Sequence, residues 1–73
     1  MTNTEKLEEK IAQSGKKKQY LAEKIGMTPQ GFRNCLTNKT EFTASRIQIL
    51  CDELNITDLE ERQAIFFAQS VAK

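Results

Sequence analysis

The stretch from Lys17 to Lys39 constrains this chain more than any other, because helix stop and start signals fall within a few residues of each other. Leu21, Ala22 and Ile25 recur at the i, i+1, i+4 spacing of a buried stripe, which predicts a helix over Lys18 to Ile25. Gly26 follows the last apolar residue, where a helix ends by turning into the left-handed region that glycine enters cheaply. Thr28 offers a hydroxyl to cap the next helix, and Pro29 sits at its first position, where a missing N–H costs nothing. That second helix, Pro29 to Leu36, buries Phe32, Cys35 and Leu36 and leaves Gln30, Arg33, Asn34 and Thr37 outside. Helix, three-residue turn with a glycine, helix is the geometry of the helix-turn-helix. The outer face of Pro29–Thr37 is therefore expected to lie in the major groove of DNA.

The distribution of charge points the same way. Residues 1–13 set Glu5, Glu8 and Glu9 against Lys6 and Lys10, a net of −1. Residues 14–40 set Lys16, Lys17, Lys18, Lys24, Arg33 and Lys39 against Glu23 alone, a net of +5. Residues 41–73 carry a net of −3. Positive charge is gathered on the proposed helix-turn-helix, as a phosphate-facing surface requires. Lys16, Lys17 and Lys18 cluster at a helix N-terminus, a place where the helix dipole prefers anions. Cations fit there if a DNA phosphate also arrives, using both the amides and the ammonium groups.

The rest of the chain reads as helices packed around this pair. Thr2 or Thr4 can cap a first helix, with Glu5 completing a capping box from Thr2; it runs to about Gln13, buries Leu7 and Ile11, and ends at Ser14-Gly15. Ala12 is small enough for a neighbouring helix to approach. Tyr20 is placed in a half-buried packing role. Gly31 either lets the helix backbone come close to DNA or to another helix, or is tolerated at a cost of about 1 kcal/mol. Asn38 can take the left-handed cap after Leu36, and Phe42 is expected to fold back as an apolar anchor. Thr43 caps a fourth helix with Ile47, Leu50, Cys51 and Leu54 on one face, ended by Asn55. Thr57-Asp58-Leu59-Glu60 opens a fifth, expected to reach about Val71. Leu59, Phe66 and Val71 can face the core, with Ile65, Phe67, Ala68 and Ala72 on adjacent faces, as a lid or as a subunit contact. No strands, repeats or linkers are expected, so residues 1–73 form one all-α domain of five helices.

At 73 residues the core is small, and such a chain buries only roughly 60% of its unfolded surface. Cys35 and Cys51, with no histidine in the chain, make no recognisable zinc site and read as reduced core thiols. No apolar run approaches the ~20 residues of a membrane span. The polar N-terminus Met1–Lys10 shows no signal peptide, so a soluble cytoplasmic protein is expected. No acid pair in an apolar pocket, nucleotide-binding glycine loop or activated cysteine is present, so neither an enzyme, a cofactor nor a small-molecule substrate is expected.

The run Tyr20-Leu-Ala-Glu-Lys-Ile-Gly-Met-Thr-Pro-Gln-Gly-Phe-Arg-Asn-Cys-Leu resembles the Cro/cI-type (XRE) helix-turn-helix family. The matching positions are Leu21, Ala22, Ile25, Gly26, Thr28, Phe32 and Cys35, followed by Asn38-Lys39. The likeness continues into Leu36-Thr-Asn-Lys-Thr-Glu-Phe-Thr and Phe66-Phe67-Ala68, and is strongest to small prophage Cro-like regulators of Gram-positive hosts. It implies a compact five-helix lambda-repressor-like domain, with the helix-turn-helix at helices 2 and 3, acting on a double-stranded DNA operator in a bacterial cell or phage-infected host. A homodimer, at least on DNA, is implied as well. The family's base-reading positions fall on Thr28, Gln30, Arg33 and Asn34. Its backbone-holding positions fall on Lys17, Lys18, Thr37, Lys39 and Thr40, and Lys16 and Asn38 join that phosphate-binding set. Lys18 stands where the family usually has a glutamine, Leu36 where glutamate is common, and Asn38 where glycine is common. Pro29 and Gly31 leave the operator sequence unread.

Groove chemistry supplies a mechanism. Gln30 or Asn34 can make a two-pronged amide contact with adenine, and Arg33 the corresponding contact with guanine or, equally, with a phosphate. Regulation would follow by occluding or recruiting polymerase. The alternative is a protein-interaction module, such as an antitoxin or anti-repressor, whose acidic C-terminal half binds a protein. Random duplex DNA at low salt separates the two, because only the first binds it in a salt-dependent way.

Overall fold

A computed structural model describes residues 2–67, and within them the chain is all-α, with five helices and no strand. These are α1 (Thr4–Ser14), α2 (Lys18–Lys24), α3 (Pro29–Leu36), α4 (Ala44–Leu54) and α5 (Leu59–Phe66). The α2–α3, α2–α4, α1–α4 and α1–α5 pairs pack together. The radius of gyration is 11.4 Å, close to the ~11 Å expected of a compact chain this long.

Helix starts follow from short polar side chains, not always those expected. Thr28 and Thr43 cap α3 and α4 as foreseen, accepting from the backbone N–H of Gly31 and Arg46. The cap of α1 is Asn3, whose Oδ1 accepts from the Lys6 N–H at 3.1 Å, rather than Thr2 or Thr4. Thr2 is instead buried, exchanging two hydrogen bonds with the Asn38 side chain. The cap of α5 is Asp58 rather than Thr57, with its side chain on the Glu60 N–H.

The ends of α1 to α4 share one device. Gly15, Gly26, Asn38 and Asn55 all take positive φ, between 58° and 75°. After α2, the Gly26 N–H reaches Glu23 O and the Met27 N–H reaches Ala22 O, at 3.1 and 2.8 Å. This paired pattern satisfies carbonyls that the helix end would orphan. Asn38–Lys39 after α3 and Asn55–Ile56 after α4 repeat it, and Ile56 is carried into the core by that turn.

The core gathers the predicted stripes: Leu7 and Ile11, Leu21 and Ala22, Phe32, Cys35 and Leu36, and Ile47, Leu50, Cys51 and Leu54 of α4. Phe42, in the loop between α3 and α4, is buried as expected. Its ring lies edge-to-face on Phe32 at 6.0 Å and on Phe66 at 5.8 Å, joining α3 to α5. Such pairs add ~1 kcal/mol beyond the area they bury.

Three expectations fail. Leu59 is 72% exposed; it shares a helical face with Phe66, but the first turn of α5 extends past the core. Ala12 is exposed and receives no neighbouring helix. Within the described residues α5 ends at Phe66, because Phe67 leaves the helical backbone at φ −125°. Ala68, Val71 and Ala72 lie outside the described residues. No helix among the described residues is long and apolar enough to cross a membrane.

Candidate nucleic-acid interface

Helix α3 is set in place from both ends. At its start Thr28 Oγ1 accepts from the Gly31 N–H at 3.1 Å, with Pro29 in the first turn. A Cβ at Gly31 would stand 3.2 Å from Thr28 Oγ1 and 3.5 Å from Met27 Cε, and Arg46 occupies the same position behind the Thr43 cap of α4. At the C-terminal end the Asn34 carbonyl accepts from the backbone of Lys39 and Thr40, at 2.8 and 3.3 Å. A residue of the outer face thus anchors the turn that follows the helix.

The four expected base-reading residues occupy the first turns of α3 and its cap. Thr28, Gln30 and Arg33 are exposed and Asn34 is half-buried. Gln30 Nε2 donates to Asn34 Oδ1 at 3.1 Å, one turn along. The Gln30 carbonyl oxygen, its second amide hydrogen and the Asn34 amide hydrogens take no further hydrogen bond among the described residues. Arg33 has no ion pair among the described residues.

The seven expected phosphate-binding residues are not alike. Lys17 and Lys39 are exposed and have no ion pair among the described residues. Thr37 is exposed, and its hydroxyl bonds back to the Arg33 and Asn34 carbonyls. Thr40 turns its hydroxyl to the Cys35 thiol at 3.3 Å. The Asn38 side chain is committed to Thr2, accepting from its N–H at 3.1 Å and donating to its carbonyl at 3.0 Å. Lys16 is drawn to the end of α4, where Nζ meets the Glu53 carbonyl at 2.7 Å and carboxylate at 3.0 Å. Hydrogen bonding by Lys16 holds the Glu53 carboxyl below its usual range. Lys18 pairs with Glu8.

A groove runs along one edge of this surface, with Phe32 and Leu36 at its base and Lys18, Gln19, Pro29, Arg33 and Thr37 around it. Glu8, from α1, lines it too. The sequence gives no local signal for Glu8, since its partner lies ten residues away on another helix. Arg46 was also not foreseen: its Nε donates to the Ile25 carbonyl at 3.3 Å, placing a cation at the C-terminal end of α2, where the helix dipole favours one. Tyr20 is 40% exposed, its ring 5.8 and 5.6 Å from the Lys16 and Lys24 ammonium nitrogens.

Both thiols are free and buried, and burial pushes the Cys51 thiol up. Among the described residues no group of acids or cysteines could hold a metal. In comparison with known proteins, no family model, no curated protein and no solved structure matches the chain.

Proposed function

We propose that this chain is a sequence-specific, double-stranded DNA-binding transcriptional regulator of the Cro/cI type. The α2–turn–α3 unit is its helix-turn-helix, and α3 enters the major groove. One observation carries the reading: Gln30, Arg33 and Asn34 share the outer side of a capped helix that carries no acid. The Gln30–Asn34 bond supports it further, because it fixes both amides before DNA arrives and so lowers the entropic cost of a two-pronged adenine contact. Lys17 and Lys39 supply phosphate contacts that hold position without reading sequence. One small domain makes few such contacts, so two copies on half-sites about 34 Å apart are the natural binding unit. A regulator of this kind works in the cytoplasm of a bacterium or of an infected host.

Selection of bound sites from a random duplex pool tests this, and a palindromic product identifies the dimer. On the selected site, Gln30→Ala or Asn34→Ala should weaken binding by about 1–3 kcal/mol while leaving random duplex unaffected. Lys17→Ala with Lys39→Ala should weaken both alike and flatten the salt dependence by about 0.9 per lysine. Equal losses on both DNAs from the amide variants would remove α3 from the base-reading role. Absence of any salt-dependent duplex binding would favour the protein-interaction reading.

A further inference from the structure

Glu8 puts a carboxylate on the surface where the proposed function needs phosphates to land. It lines the same groove as Arg33 of α3, Thr37 just past that helix and Gln19 of α2. The Lys18 ammonium straddles it, with Nζ 2.9 Å from Oε1 and 3.1 Å from Oε2. The fold has little need of this pair. Both side chains are about half exposed, 53% for Lys18 and 44% for Glu8, and exposed pairs add little stability. Leu7 and Ile11 of α1 and Leu21 of α2 are buried in the shared core without it. A charge that serves the fold little and opposes the expected ligand calls for a role at the site.

We infer that Glu8 is a built-in competitor for DNA phosphate. It holds Lys18 as a neutral pair beside α3, and a phosphate that reaches Lys18 must displace the carboxylate. This rests on the DNA-binding reading of α3 and adds to it a residue that trims affinity. Because phosphates are alike at every base pair, Glu8 weakens binding to all duplexes by a similar factor. Lys16 is held by Glu53 at the end of α4, outside the residues that line this groove. The two acid-paired lysines flanking Lys17 therefore have different roles.

The test is Glu8→Gln, titrated with a random-sequence duplex across a range of salt, beside wild type and Glu9→Gln. Glu9 is the next residue of α1 and lines a different groove, between α1 and α5, so its substitution makes the same change in net charge elsewhere. Glu8→Gln should tighten binding at low salt by about 1.5- to 5-fold, the range of an exposed pair. It should also steepen the salt dependence by up to about 0.9. Glu9→Gln should do neither, and thermal unfolding midpoints should match among the three proteins. Wild type that binds while Glu8→Gln binds no better, binds more weakly, or is matched by Glu9→Gln overturns the role of Glu8 alone. Wild type that binds no duplex overturns the DNA-binding reading and this inference with it.

Discussion

At Thr28 a single hydroxyl decides where α3 begins. The Oγ1 bond to the Gly31 N–H satisfies one of the donors a helix start leaves open. Thr28→Ala should cost about 1 kcal/mol, seen as a fall of about 4–8 °C in the thermal midpoint of a domain this small. Thr28, Pro29 and Gly26 were legible because each acts on the backbone within a few residues of itself. Asn3 carries the same capping chemistry as Thr2 and Thr4, while the Thr2 backbone is held by the side chain of Asn38, 36 residues away.

Among the elements, the turn after α3 is the most heavily tied. Asn38 takes φ 62°, and its side chain grips Thr2 through both ends of its amide. Thr2 is followed by Asn3, whose N–H meets the Ile65 carbonyl of α5 at 2.6 Å. Asn38→Gly keeps the left-handed turn and loses the two bonds to Thr2, each worth about 1 kcal/mol. Asn38→Ala loses the same bonds and adds about 1–2 kcal/mol of left-handed strain. Denaturant midpoints should therefore rank wild type above Asn38→Gly, and Asn38→Gly above Asn38→Ala. Helical period gave the buried face of α1 to α4 correctly, since each contributes to one core. It misplaced Leu59 because period fixes a face and says nothing of where along the helix the core stops. The partners of Lys16 and Lys18 were invisible for a related reason: both pairs join segments that only folding brings together.

On the scale of the whole molecule, three ion pairs among the described residues bridge separate parts of the bundle: Lys10–Glu61, Lys16–Glu53 and Lys18–Glu8. Lys16 depresses the Glu53 carboxyl relative to the unfolded chain. A depressed acid stabilises the fold above the ordinary glutamate range, and that contribution is lost as pH falls through and below about 4.3. Thermal midpoints measured from pH 7 to pH 3 should fall less steeply in Glu53→Gln than in wild type. An equal slope would mean that other acids govern acid unfolding.

Phe42 belongs to no helix, yet its ring is wedged between the underside of α3 and the last turn of α5. Two edge-to-face contacts among three rings thus tie the last helix to α3 without passing through the backbone between them. Trimming the Phe42 ring would cut both contacts at once and loosen two helices with one substitution.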